Sequence, residues 1–319
     1  MSDALVLGID GGGSKVLVAL ADCRGRILRT SRGGGVNPMN NPDWLQELER
    51  HLLPFRDEPR LAAVAAALPA YGEVERLSQQ QRDAIDSIFP KLKRQVLNDV
   101  DAAHRGAFAG KPGILVLSGT GSMSWARNGR GLSARSGGWG DIVGDEGSSY
   151  WIGRRALNLV SQSLDGRAPA TALAAALFAR LGIDATDPMN GLGDWASSLA
   201  NPRADIAALS ALVDEVAGGG DPGSIQLIEM AADELAKHHR AVSDHCGQDA
   251  DWTYAGGTLT SWILLTALGR RVGRPPVAPK LPPIGGALLV AAQLLDWPTD
   301  EGWFGQIAAT ADERGRASA

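Results

Sequence analysis

Two glycine turns carry the first chemistry in this 319-residue chain. The stretch GIDGGGSKVLVAL, residues 8–20, sets Asp10 directly before Gly11, Gly12, Gly13 and Ser14, with Lys15 just after. Its spacing comes close to a GxxxxGK[ST] phosphate loop, but serine and lysine stand in reversed order. That loop, like the dinucleotide fingerprint, must open a helix whose first N–H groups hold the phosphate. Here KVLVALA, residues 15–21, predicts a strand, so neither geometry applies. A tight turn between antiparallel strands can still aim backbone N–H groups at an anion, because absent Cβ atoms let a phosphate come close. The stretch ILVLSGTGSMSW, residues 114–125, repeats the arrangement with Gly119, Thr120, Gly121 and Ser122. Facing each other, two such turns would pinch a polyphosphate. Taken singly, each would serve equally as a hairpin turn in which glycine supplies a positive φ.

Phosphoryl transfer to a hydroxyl requires in-line positioning, charge neutralisation by a divalent cation and a base near the attacking oxygen. The acids of the chain sort accordingly. Asp10 ends an apolar run beside the first turn, where Mg²⁺ could be held indirectly, or where it simply forms an Asp-Gly turn. Asp99 follows RQVL, residues 94–97, at a strand end where α/β sheets place functional side chains, and its carboxylate could accept a hydroxyl proton. Asp99 and Asp101 would both also cap a helix well, and the order DVD leaves the choice between them open. Thr120 and Ser122 offer hydroxyl and N–H groups to a phosphate or to the turn itself. Lys15 reads as a solvated strand-end lysine. The segment GGWGDIVGDEGSS, residues 137–149, is too polar and glycine-rich for a core element and contains three acids, of which Asp145 precedes a predicted helix and could cap it. Trp139 within it suits packing or stacking, while Trp125, Trp151 and Trp262 are expected in the core. His238, His239, His245 and Cys246 are close in sequence, but AKHHR reads as a solvated helix face rather than a metal site.

The elements that position these residues follow from periodicity. Residues 4–9, 15–21 and 26–32 predict three strands, and NPDWLQELERHLLPF carries helix start signals and helical spacing. LAAVAAAL, a helix at 77–89, RQVLND and a helix from Asp101 complete the order βββαβαβα. From residue 113 the strand, glycine turn, strand, glycine turn, strand pattern recurs, which predicts a duplicated domain with a boundary near 111–113. Helical spacing then dominates up to DWTYAGG, a strand closing on glycines, followed by TLTSWILLTALG and GGALLVAAQLLD as helices. The expected division is 1–112 and 113–319.

Composition narrows the function classes. A net charge of -5 argues against a surface built for nucleic acid, so any phosphate site must be local. Two cysteines, Cys23 and Cys246, suggest no disulfide framework and no CxxC motif, which fits a reducing, cytoplasmic setting. MSDALVLGID lacks a basic region and a long apolar run, which predicts no export, and LAAVAAALPA is too short to span a membrane.

GIDGGGSK, LNDVDAAHRGA, LSGTGS and GGWGDIVGDEGSSYWIG, in that order along residues 8–153, resemble the successive motifs of the BadF/BadG/BcrA/BcrD ATPase family and of its N-acetylglucosamine kinase branch in particular. YAGGTLTS and PPIGGALL fit its adenosine-side segments more loosely. The resemblance implies an α/β fold of two ribonuclease-H-like, actin-like ATPase domains around a central cleft, with ATP and Mg²⁺ as cofactors and a small-molecule sugar as partner. It implies Asp10 on the metal side, Asp99 as general base, and Gly11, Gly12, Gly13, Ser14, Gly119, Thr120, Gly121, Ser122, Gly256 and Gly257 on the nucleotide. It further implies Asn37, Gly138, Gly140, Asp145 and Ser149 on the sugar, most simply N-acetylglucosamine, with glucosamine or N-acetylmuramate as alternatives, and it leaves a homodimer open. Where relatives carry a GLAG or LSGG loop after the fourth strand, this chain has ALPAYG with Pro69 and Tyr71, which bears on the fit of the sugar's substituent. Other family members activate dehydratases or reductases through an iron-sulfur cluster, which requires closely placed thiolates that Cys23 and Cys246 do not suggest.

Overall fold

The computed structural model describes residues 3–247 and 250–316. The chain divides into two compact units at Pro112/Gly113 and again at Val277/Ala278, after which it returns to the first unit.

In the first unit β1 (Leu5–Gly11), β2 (Lys15–Asp22) and β3 (Ile27–Gly34) form an antiparallel meander. β4 (Leu61–Leu68) and β5 (Lys93–Asn98) add in parallel, giving the order β3-β2-β1-β4-β5. Successive residues of a strand face opposite sides, and both sides of this sheet are covered. Leu5, Leu7 and Ile9 pack with Leu48, Leu52 and Phe55 of α1 (Trp44–Arg56) and Ile85 of α2 (Glu75–Ile88). Val6, Ala19, Ala63, Ala65 and Ala67 present the opposite face to Ala287, Leu288 and Ala291 of α10 (Pro283–Gln293). The small side chains on that face let a helix settle close to the sheet.

That packing corrects two expectations. The second domain does not run to the end of the chain, because α10 and α11 (Glu301–Arg316) belong to the first unit's core. PPIGGALL is not an adenosine-side segment: Ile284 through Ala292 are buried throughout, and a Cβ placed on Gly286 would stand 1.8 Å from the Ala102 carbonyl of α3 (Asp99–Ala107). Its glycines serve helix-helix approach. α3 also begins at Asp99 rather than Asp101.

The second unit repeats the path. β6 (Gly113–Ser118), β7 (Ser122–Arg127) and β8 (Ser133–Gly137) form the meander, and β9 (Trp252–Ala255) runs parallel to β6, in the order β8-β7-β6-β9. Between β8 and β9 lie α4 (Ser149–Leu164), α5 (Ala172–Leu181), α6 (Pro188–Ser198), α7 (Pro202–Gly218) and α8 (Pro222–Cys246). α9 (Trp262–Val272) follows β9. Ile114 and Val116 of β6, Ile152 and Ala156 of α4 and Ile228, Ala231 and Leu235 of α8 share one core. Trp262, expected inside, is 72% exposed at the first position of α9, and the AKHHR pair is turned inward rather than solvated. No helix among the described residues is long and apolar enough to cross a membrane.

Candidate functional site

Register in the first sheet sets its acids at one edge. Asp10 of β1 stands beside Ala67 of β4, and Leu68 of β4 stands beside Asn98 of β5, so Asp10 and Asp99 lie at the C-terminal edge of parallel strands separated by β4. Burial pushes Asp99 up to about 7, helped by the charges of Asp10 and Glu73 and opposed by the N–H of Val100. Burial likewise pushes Asp10 up to about 6, with Lys15 pulling the other way. Burial thus holds both carboxyls above the usual carboxylate range, and the charge of Asp10 adds to the rise at Asp99. Lys15 is exposed at the start of β2, as expected.

The capping alternatives resolve in geometry. Asn98 caps α3, its side chain accepting the Val100 N–H at 2.9 Å while its amide donates to the Tyr71 carbonyl at 3.0 Å. Asp101 pairs with Arg105 one turn on, at 3.0 Å. Asp99 shares that cap, its Oδ1 accepting the same Val100 N–H at 3.0 Å, and it feels the charge of Asp10. The ALPAYG loop is wired into the same corner: Gln81 donates to the Pro69 carbonyl at 2.9 Å, and Ala70 holds φ +61°.

The first turn is a true hairpin. The Gly12 N–H donates to the Lys15 carbonyl at 2.8 Å, and the Val36 N–H donates to the Gly12 carbonyl at 3.0 Å. Gly13 and Ser14 are exposed at its tip. Asn37, just beyond Val36, is half-buried and accepts the Met39 N–H at 2.9 Å.

In the second unit the Gly119 carbonyl gathers three donors: the Ser149 N–H at 2.8 Å, the Ser149 hydroxyl at 2.9 Å and the Thr258 hydroxyl at 3.1 Å. Gly256, at φ +97°, lies so close that a Cβ there would stand 2.2 Å from the Ser118 carbonyl. Ser122 donates its hydroxyl to the Glu146 carbonyl at 2.6 Å, which commits that group to the fold, while Thr120 and Gly257 are exposed. Gly138 donates to the Ser122 carbonyl at 3.0 Å, and Gly140 accepts from Gly144 at 2.8 Å. The turn at Gly119–Ser122 is therefore laced to residues 138–149 and to 256–258.

Asp145 is 2% exposed and sits at φ +60°. It does not cap α4, since Ser148 does, accepting the Trp151 N–H at 3.1 Å. Its Oδ1 accepts the Ser122 N–H at 3.3 Å and its Oδ2 accepts from Arg203 at 2.5 Å. Burial raises its carboxyl above the usual range, against the lowering by Arg203 and the Ser122 N–H. Arg203 escaped the sequence reading because nothing in NPRADIAAL marks it; its partner lies 58 residues away. The tip of the same segment is open, with Trp139 68% and Ile142 94% exposed. His239 pairs with Ser243 and sets its ring edge-on to Trp252, with burial pushing it down to about 4. Among the described residues no three His, Cys, Asp or Glu side chains gather as a metal site.

Two sheets that share one strand path, each turning through glycines after its first strand, define the two-unit actin-like ATPase class. The chain belongs to the BadF/BadG/BcrA/BcrD ATPase family, whose model matches residues 7–291. It is 32% identical over 245 residues to an N-acetylmuramic acid/N-acetylglucosamine kinase of Clostridium acetobutylicum, covering 74% of this chain and 78% of that one. It is 27% identical over 291 residues to an N-acetyl-D-glucosamine kinase of Dictyostelium discoideum, covering 84% and 89%. Among solved structures, a candidate N-acetylglucosamine kinase from Chromobacterium violaceum matches with a TM-score of 0.73 at 27% identity, covering 91% of this chain and all of that one.

Proposed function

We propose that the protein transfers the γ-phosphoryl group of ATP to a hydroxyl of an amino sugar, with N-acetylglucosamine as the first choice of acceptor. The observation that carries this reading is the Asp99 carboxyl at the C-terminal edge of the sheet that also holds Asp10, pushed up to about 7. A general base works best when its proton affinity lies near the working pH. The names of the relatives from Clostridium and Dictyostelium support the acceptor class.

In this reading Asp99 takes the proton of the attacking sugar hydroxyl. The turns Gly11–Ser14 and Gly119–Ser122 hold phosphate oxygens through the exposed Thr120 hydroxyl and the turn N–H groups other than those of Gly12, Gly119 and Ser122, which donate to Lys15, Gly121 and Asp145, and Gly256 and Gly257 lie against the nucleoside. Asn37, Gly138, Gly140, Asp145 and Ser149 position the sugar. Asp10 would hold Mg²⁺ from one carboxylate, with phosphates and water completing the shell, as that ion prefers. The fit rests on two carboxyls at one edge of the sheet, both pushed up by burial, with Lys15 the one opposing charge among the causes resolved at Asp10, a place where a hard cation relieves charge. Bound there, Mg²⁺ supplies neutralisation of phosphate charge during transfer.

A reducing, cytoplasmic setting is supported by two free cysteines. The redox-activator alternative loses support from Cys246, whose thiol donates to the Arg127 carbonyl at 3.1 Å and is raised by burial, the reverse of a ligating thiolate. A coupled ADP-release assay across N-acetylglucosamine, glucosamine, N-acetylmuramate and glucose tests the proposal. Sugar-dependent ADP release with an amino sugar is expected, and release indifferent to every sugar would refute it.

A further inference from the structure

A carboxylate as buried as Asp145 must be neutral or paired, because an isolated charge away from water is costly. Its cationic partner comes from a separate helix: Arg203, the second residue of α7, reaches Asp145 Oδ2 at 2.5 Å. The Arg203 Nε is buried with no hydrogen-bond partner among the described residues, and Asp141 Oδ1 lies 3.9 Å from it. The guanidinium is thus set between two acids of one loop. At the other Asp145 oxygen, the Ser122 N–H donates from the end of the second glycine turn. The left-handed backbone of Asp145, φ +60°, is one that a non-glycine residue holds only when its surroundings impose it. Here the surroundings are a guanidinium on one side and a turn amide on the other.

The inference rests on the reading of Asp145 as a sugar ligand. A carboxylate grips sugar hydroxyls only when it is ionised and its plane is fixed, since both oxygens must accept. We propose that Arg203 is a positioning residue for the acceptor sugar: it holds Asp145 ionised and in one orientation, and so sets the affinity for sugar rather than for nucleotide. Two further titratable groups face Asp145. Asp141, on the same loop, raises its proton affinity, and His238 of α8 feels its charge while burial keeps that imidazole's own proton affinity low. Without Arg203, Asp145 would retain its proton to higher pH.

The test compares wild type, Arg203→Met, Arg203→Lys and Asp145→Asn by steady-state kinetics with ATP and N-acetylglucosamine, from about pH 6 to about pH 9. Arg203→Met is expected to raise the sugar KM about tenfold or more at neutral pH, the scale of one charge-assisted hydrogen bond. The KM for ATP should stay within about twofold, and the sugar defect should shrink toward the alkaline end as Asp145 ionises unaided. Arg203→Lys, which keeps the charge but loses the fork, should recover part of the affinity. If Arg203→Met does not fold, Arg203→Lys alone decides by the same split between the two KM values. An unchanged sugar KM, equal losses for sugar and ATP, or a defect indifferent to pH overturns the proposal. An Asp145→Asn variant with normal sugar KM would remove the sugar-ligand reading and the inference with it. A large Asp145→Asn effect beside a silent Arg203 would remove the inference alone.

Discussion

Replacing Asp99 by asparagine should sharply slow turnover and at the same time stabilise the protein, and the two effects together separate a poised base from a structural acid. The folded state holds the Asp99 carboxyl at about 7 against 3.8 for the free group. Between those values the folded protein binds a proton that the unfolded chain has already released, so stability falls as pH rises through the window. Above it the full penalty is present. At about 1.4 kcal/mol per pH unit of displacement, the upper bound is about 4 kcal/mol. Asp99 is only half-buried, so solvent screening brings the expected figure to about 1–3 kcal/mol. Asparagine keeps the shape and carries no charge. Urea unfolding of nucleotide-free protein in chelator should therefore show Asp99→Asn gaining on wild type by that amount between about pH 4.5 and about pH 8.5. Its kcat should fall about 10²–10⁴-fold, the range of a lost general base. Equal destabilisation at both pH values would assign Asp99 to structure, and retained turnover would remove it from the base role.

Two further outcomes follow from the same geometry. Gly256→Ala, which drives a Cβ toward the Ser118 carbonyl at φ +97°, should cost about 2 kcal/mol or more and raise the KM for ATP; a variant with unchanged unfolding midpoint and KM contradicts this. His239, pushed down to about 4 by burial, stays neutral in the fold while the unfolded chain protonates near its ordinary value. Stability should therefore fall with acidification from about pH 6.5 to about pH 4 by about 1–2 kcal/mol. His239→Gln should flatten that acid limb in a urea series, and an unaltered slope would count against it.

Much of the first sheet was legible because its code is local. Apolar runs on both sides of DGGGS can only be adjacent strands joined by a turn, and the repeat at SGTGS shows the duplication without any contact being known. The order βββαβαβα appears as β1 to α3 with ends shifted by a residue or two. Where the reading failed, the deciding fact was tertiary. The apolar pattern of α10 announces burial but not beside which sheet, so its return to the first unit was invisible, and its glycines were taken for a nucleotide segment. α6 buries no side chain fully and sets only Leu192 and Trp195 partly against the core, so no periodic stripe marked it. Trp262 looks like core by type alone, yet the first turn of α9 leaves it outside. At the site, types and spacing identified Asp10, Asp99 and Asp145 as candidates. That Asp101 is held by Arg105 and that Asn98 caps α3 could not be read from the order DVD, and Arg203 needed the fold itself.

The destination of the phosphoryl group tests the account most directly. With γ-³²P-labelled ATP and N-acetylglucosamine, the label is predicted on the sugar as a phosphomonoester, in step with ADP formed and absent in Asp99→Asn. Label released only as inorganic phosphate, at a rate no amino sugar changes, would contradict the assignment of this site to phosphoryl transfer onto a carbohydrate hydroxyl.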